Sequence, residues 1–252
     1  MPTTVNGIGT HYYGKRNRFV TTDTCEHCGG FGQISSYDTT KFFVVLFIPL
    51  IPLSKLRIMN ECPFCTRHAA LKLSEYEQAK ADAVGEATAK LKADRESAES
   101  NINALQTAAG FQDGKLYEAI ANNLPRDLND DVDTQKVLSA VANYFTDPET
   151  ALAAIQRVVE LEDTLDNRQA LAAHYLQLGD PDEASRTLKS DFADDPDVLA
   201  GWVQPLCEAY LATGEKLRVK ELIAEVEERS PAVFEQKPMA KWKKKTLKKA
   251  NK

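Results

Sequence analysis

The chain lacks what would mark it as secreted, membrane-spanning or catalytic. It has 5 Cys in 252 residues, too few for a small scaffold stapled by disulfides. Its longest apolar run, Phe42 to Leu53, has 12 residues and is interrupted by Pro49 and Pro52. A membrane-spanning helix needs about 20 apolar residues, so none is expected. The N-terminal MPTTVNGIGTHYYG has neither the basic nor the apolar region of a signal peptide, and a cytoplasmic chain is the expectation. No Ser-His-Asp, HExxH or P-loop pattern is present. Gly7-Ile-Gly9-Thr lacks the GK[ST] of a phosphate cradle and reads as a turn leading into a strand. The chain is therefore expected not to be an enzyme. What remains is ordinary for a folded protein: 43% hydrophobic residues, and a length that suits a main core plus a smaller module.

The net charge of −6 conceals a strong asymmetry. Residues 1–71 carry +3, residues 72–236 carry −17, and residues 237–252 carry 8 Lys and no acid. Charge segregated in this way marks separate modules.

Four cysteines form two pairs, Cys25-Glu-His-Cys28 and Cys62-Pro-Phe-Cys65, separated by 33 residues. Between them, Gln33–Tyr37, Lys41–Ile48 and Ser54–Asn60 read as strands, from their alternation and their β-branched and aromatic content. Pro49 and Pro52 predict a turn or a sheet edge. Each CxxC turn aims two thiolates at one point, and two such turns make the Cys₄ tetrahedron that Zn²⁺ favours. The spacing exceeds that of a compact site, and three intervening strands are expected to return the second turn beside the first. Gly29-Gly30 suits a tight turn around the sulfurs. Cys25, Cys28, Cys62 and Cys65 are the expected ligands of one structural zinc. A redox dithiol and four unrelated thiols are the competing readings. His27 and His68 lie nearby but are not needed as ligands, and His11 and His174 have no partner by spacing. Cys207 reads as a packing residue.

The segments GIGTHYYGKRNR and FFVVLFIPLIPLSKLRI resemble a bacterial zinc-ribbon family in which an F-IPLIPL-S strand turn precedes the second cysteine pair. The resemblance covers about residues 5–70. It implies a β zinc ribbon with Cys25, Cys28, Cys62 and Cys65 as ligands, and little about function. The apolar run Phe42–Leu53 reads as ribbon core, with the alternative that part of it stays exposed as a docking patch for a partner, another protomer or the helical region.

From Leu71 the chemistry changes. Residues 72–108 contain no Pro and one Gly, with Ala-rich apolar positions at helical spacing. This predicts one long amphipathic linker helix over 72–109. Beyond it, Tyr175, Gly179, Ala184, Leu188 and Pro196 recur 35 residues later as Tyr210, Gly214, Val219, Ile223 and Pro231. An earlier degenerate copy runs through Asp147-Pro148-Glu149 to Ile155. A period near 34 with two helices per unit predicts a helical solenoid. The repeats resemble tetratricopeptide (TPR) units, with departures at Val219 and in the first helix of each unit. The resemblance covers roughly 133–235 and implies a concave face that binds a protein or peptide.

The expected architecture is thus α+β and multidomain: a Cys₄ zinc ribbon over 1–71, a linker helix over 72–109, TPR-like repeats forming an all-α solenoid over 110–235, and a Lys-rich tail over 236–252. The leading functional expectation is a zinc-binding scaffold for protein–protein interaction. The tail leaves three readings open: a solvated, disordered, charge-balancing segment, a contact with an anionic membrane surface at the cytoplasmic face, or nucleic-acid binding. Four zinc-bound thiolates would reduce the ribbon's +3 to about +1, which weakens the last of these.

Overall fold

A computed structural model of the chain describes residues 3–251 and divides into two units, Met1–Glu118 and Ala119–Lys252. The first is a five-stranded antiparallel meander followed by two helices, with strands in the order β1-β2-β3-β4-β5. β1 is Thr4–Val5, β2 Ile8–Thr24, β3 Phe31–Val45, β4 Ile48–Glu61 and β5 Ala69–Lys72. β3 contains Gln33–Tyr37 and β4 contains Ser54–Asn60, but the expected strand Lys41–Ile48 is cut: it ends with β3 at Val45, passes through the turn and reaches β4 at Ile48. The long β2 escaped the sequence reading because its Lys, Arg and Asn residues break the apolar alternation.

The β3–β4 turn falls at Leu46-Phe47, both with positive φ (52° and 63°), and not at the prolines. Pro49 and Pro52 lie inside β4, opposite Val44 and Phe42, where register shifts interrupt the ladder. Of the two readings of these prolines, the edge is the one observed. Among the described residues β4 gains an outer partner only at Leu56–Met59, where β5 pairs with it.

The sheet buries little: Ile34, Tyr37, Val44 and Ile58. Beside them lies the buried ion pair Arg57–Asp38, at 2.9 Å. Arg57 also donates to the Asn17 carbonyl (3.0 Å) and to Gln112, and its guanidinium lies 5.2 Å from the Tyr76 ring centre. One cation thereby ties β2, β3 and β4 to the helical segment that follows.

That segment is not one helix. α1, Leu73–Ala93, and α2, Ala98–Gly110, pack on each other, and α1 also packs on β4 and β5. The break has a local cause. Ser97 caps α2 by accepting from Ser100 N (3.2 Å), and buried Asn101 donates to the Arg95 and Ser97 carbonyls (2.8 and 2.9 Å). A serine cap was the available signal, masked by Ala-rich sequence on both sides. Tyr76 Oη donates to the Phe111 carbonyl (3.0 Å), and Lys80 pairs with Asp113 (3.0 Å). α3, Gly114–Ala121, runs into the second unit.

The second unit is helical. After a 3₁₀ turn at Arg126–Asp130 come α4 (Val132–Tyr144), α5 (Pro148–Leu161), α6 (Leu165–Gln177), α7 (Pro181–Thr187), α8 (Lys189–Asp194), α9 (Pro196–Thr213), α10 (Lys216–Arg229), α11 (Ala232–Glu235) and α12 (Lys237–Ala250). Helices adjacent in the chain pack together, notably α4 on α5, α6 on α7 and α9 on α10. Matched positions of the 35-residue repeat do matched work. Ala184 and Val219, Leu188 and Ile223, and Ala172 and Cys207 are all at most 1% exposed. Pro196 begins α9 and Pro231 precedes α11.

The turn after each first helix also recurs. Gly179 and Gly214 take φ of 78° and 86°, as an L side chain rarely does. Thr146 and Gln112 take the same conformation without being glycine, at φ 57° and 54°. At each place the next residue's N–H reaches back to a carbonyl five residues earlier: Asp113 to Ala108, Asp147 to Ala142, Asp180 to Tyr175, and Glu215 to Tyr210 (2.8–2.9 Å). The same helix-ending turn thus occurs at 112, 146, 179 and 214.

The tail is not a disordered segment. It is α12, with Thr246 and Ala250 buried and Met239, Trp242 and Leu247 packed on the core of Leu199, Leu206, Ile223 and Val226. Lys243 pairs with Glu227 of α10 and lies 4.9 Å from the Phe234 ring centre. Among the described residues no helix is long and apolar enough to cross a membrane.

A candidate metal centre

Each cysteine pair occupies a turn at the same end of the sheet. Cys25 follows β2 and Cys28 precedes β3, while Cys62 follows β4 and Cys65 precedes β5. β3 and β4 have 15 and 14 residues. The chain therefore runs out and returns by nearly equal distances, which closes the 33-residue gap. Two long strands do this, not the three short ones expected.

The two turns share a backbone plan. Cys25 N donates to the Gly30 carbonyl (2.9 Å) and Gly29 N to the Cys25 carbonyl (2.8 Å); Cys62 N donates to the Arg67 carbonyl (3.1 Å) and Thr66 N to the Cys62 carbonyl (3.0 Å). Gly29 and Thr66 occupy the equivalent left-handed position, φ 68° and 56°. At Gly30 a Cβ would lie 2.7 Å from the exposed Phe64 ring of the opposite turn, so a side chain there would have to displace that ring.

The four sulfurs lie within 4.8 Å of one another. Cys25 Sγ is 3.9 Å from Cys65 Sγ, and Cys28 Sγ is 3.7 Å from Cys62 Sγ, far beyond a disulfide bond of about 2.05 Å. Cys25 and Cys62 are buried, Cys65 is half-buried and Cys28 is exposed. This set can hold one metal ion.

Charge points the same way. Backbone N–H groups of Cys65 and Phe64 stabilise the Cys62 thiolate and bring it down to about 6. Cys28 also receives a backbone N–H, from Gly30, yet burial and three neighbouring sulfurs push it up to about 11. Four sulfurs this close oppose one another's ionisation, and a cation among them would relieve that repulsion. Nearby, burial opposes ionisation of Glu61. The hydrogen bonds from Lys15 (2.9 Å) and Tyr37 (2.8 Å) outweigh it and hold that carboxyl below its usual range.

The histidines are engaged elsewhere. His27 Nδ1 accepts from Arg67 (3.1 Å), linking the two turns, and His68 Nδ1 donates to the Thr66 carbonyl (3.0 Å). In the helical unit, Ser139 Oγ donates to the Ala151 carbonyl (2.9 Å) and accepts from His174 Nε2 (3.2 Å). Spacing had suggested no partner for His174. Burial holds it below its usual range. Cys207 is fully buried and pushed up to about 12, chiefly by burial, as suits a packing residue. Gly7 turns β1 into β2 at φ 79°, and Gly9 has no room for a side chain because a Cβ would meet the Thr3 carbonyl at 2.1 Å.

No protein-family model and no curated protein matches the chain. The zinc-ribbon resemblance thus rests on residues 5–70 themselves. Among solved structures, the crystal structure of MamA protein is similar over 66% of this chain and 97% of that one, at 16% identity and a TM-score of 0.41. A likeness at that level carries no structural argument.

Proposed function

We propose that the chain is a non-enzymatic scaffold. A Cys₄ zinc ribbon at residues 1–71 would be stabilised by one structural Zn²⁺ on Cys25, Cys28, Cys62 and Cys65, and TPR-like helical repeats would bind a protein or peptide. The observation that carries this reading is the sulfur cluster. A tetrahedron with Zn–S bonds of about 2.3 Å has S···S edges of about 3.8 Å; Cys28–Cys62 and Cys25–Cys65 are 3.7 and 3.9 Å apart, and all four sulfurs lie within 4.8 Å. The small sheet core supports a structural role for the metal, because a small module lacking interior gains its folding energy from the ion. The recurring left-handed turn at 112, 146, 179 and 214 supports a stacked repeat array, whose neighbours bury what one helix pair cannot. The acidic excess over 72–236 favours a partner segment that is basic or of mixed charge.

Metal analysis of the reduced, purified protein tests the first half. One zinc per chain, with four thiols becoming reactive only after chelation, is expected. A metal-free protein that cycles between dithiol and disulfide would replace the scaffold with a redox enzyme. A Lys/Arg-containing peptide library offered to the full chain tests the second half. Salt-sensitive binding is expected; uniform failure to bind removes partner capture by the repeats.

A further inference from the structure

The end of the sheet opposite the cysteines is an apolar cap. Leu46 and Phe47 at the β3–β4 turn are 70% and 58% exposed, with Ile48 at 59% and Leu50 at 56%. The β1–β2 turn adds Val5 (74%) and Ile8 (52%). The two turns are joined: Phe47 N donates to the Gly7 carbonyl (3.2 Å), and Tyr13 Oη donates to the Phe47 carbonyl.

Both turns carry two successive residues with positive φ, and their residues are unlike. Asn6-Gly7 is the low-cost pair for two positive φ values. Leu46-Phe47 also takes positive φ at both residues, with bulky side chains that disfavour it. The fold tolerates that strain while presenting both side chains to water, where they gain no burial. Strain of this kind concentrates at working surfaces.

The surrounding charge identifies what would cover the cap. Residues 3–22 and 39–60 contain six Lys and Arg and no Asp or Glu. Arg57 is buried with Asp38 and Lys15 pairs with Glu61; half-buried Lys41 and exposed Lys55 stand at one level on opposite faces of the sheet, across from Ser54 and Thr40. Lys41 stands five residues from the turn, about 16 Å at the strand rise. An apolar element that settles roughly 5–10 Å into the acyl boundary, beneath a headgroup layer of roughly 5–8 Å, would place this level at the phosphates. Tyr12 and Tyr13, paired with Lys41 and Thr40, sit at the same level, where aromatic side chains favour the interface. Strand addition by a second copy is opposed by Pro49 and Pro52, which remove donors from the open stretch of β4.

We propose that this cap inserts into the headgroup–acyl boundary of an anionic lipid bilayer, with Lys41 and Lys55 on lipid phosphates. This reading is independent of the identity of the metal and of any partner of the helices.

Co-flotation of the full chain with vesicles tests it. One set is phosphatidylcholine mixed with phosphatidylglycerol, the other phosphatidylcholine alone. The expected result is binding to the anionic set that weakens with salt. The decisive variant is Leu46→Asn/Phe47→Gly, which installs the unstrained turn pair. It should raise the melting temperature of the sheet unit and weaken vesicle binding roughly tenfold or more. Lys41→Gln/Lys55→Gln should weaken binding to the anionic set alone. The control replaces Lys241, Lys244, Lys245, Lys248 and Lys249 of α12 with Gln and should keep binding within about twofold. The proposal is overturned if the wild type floats with neither vesicle, if Leu46→Asn/Phe47→Gly floats as well as wild type, or if binding follows the α12 lysines instead. It is also overturned if the wild type is a dimer that this turn variant converts to monomer without any vesicle binding, which would assign the cap to self-association.

Discussion

The two units hold themselves together by different means. In the helical unit Leu188, Leu199, Val203, Leu206, Cys207, Val219 and Val226 are all fully buried. In the first unit the helices α1 and α2 contribute Ala87, Ala104, Leu105 and Ala108 at 1% exposure or less, but among the described residues of the strands and their turns only Tyr37, Val44, Ile58 and Cys62 are apolar and buried to within 1%, while Leu46, Phe47, Ile48, Leu50, Ile51 and Leu53 stand more than half exposed. One unit is stabilised by packed apolar area. The other compensates for a thin core with cross-links between strands: the buried Arg57–Asp38 pair, the Lys15–Glu61–Tyr37 cluster, and four sulfurs gathered at one end. A module can be equally ordered by either route, but the two fail under different insults.

The largest expected contrast comes from Cys62→Ser. Metal should be lost, and the sheet should lose its near-ultraviolet circular dichroism, since metal binding in such modules supplies roughly 10 kcal/mol of folding energy. The helical signal should stay largely intact. Simultaneous melting of both units would show that they do not fold separately. Next, Leu206→Ala should lower the stability of the helical unit by about 2–5 kcal/mol, the cost of a cavity in a packed core, with metal content unchanged by elemental analysis. A metal loss in this variant would contradict the division of labour.

A smaller effect sharpens the repeat itself. Gly179→Thr should destabilise the helical unit by about 1 kcal/mol in denaturant titration, because its φ is 78°. Thr146→Gly, at φ 57° in the matching turn, should be neutral or stabilising by a few tenths. Equal losses at both sites would mean that the turns are not equivalent.

The smallest expected effect is in pH. Burial lowers the folded-state value of His174, so the fold favours its neutral form. Its contribution is complete above the unfolded value of about 6.5 and is lost as pH falls through the folded one. The melting temperature of the helical unit should therefore decline below about pH 6.5, and His174→Asn should flatten that decline.

The cysteine set, the helical repeat and the β-then-α order were legible in the sequence, because each depends on spacing along the chain. A CxxC turn is local, and a period near 34 repeats a local turn. The β2 strand was not legible, since it is held by pairing with β3 and not by an apolar pattern of its own. The break at Ser97 was hidden for a related reason: helix-forming alanines run up to it from both sides, and the decision lies with the Asn101 side chain. Lysine content left the tail open between a solvated segment, a membrane contact and nucleic-acid binding; none of these anticipates that Met239, Trp242 and Leu247 pack on the helical core.

Composition and spacing alone determined that four cysteines come in two matched turns, that the C-terminal half is built of repeated helices, and that residues 3–22 and 39–60 carry only positive charge. Tertiary structure decided the rest. It set the lengths of β3 and β4 so that the two turns meet at one end, placed the hairpin turn at Leu46-Phe47 instead of at the prolines, and left the apolar cap facing water at the other end. Spacing is a property of neighbours in the chain. Which side chains end up buried depends on surfaces brought together from distant parts of it, and no short window of sequence contains both.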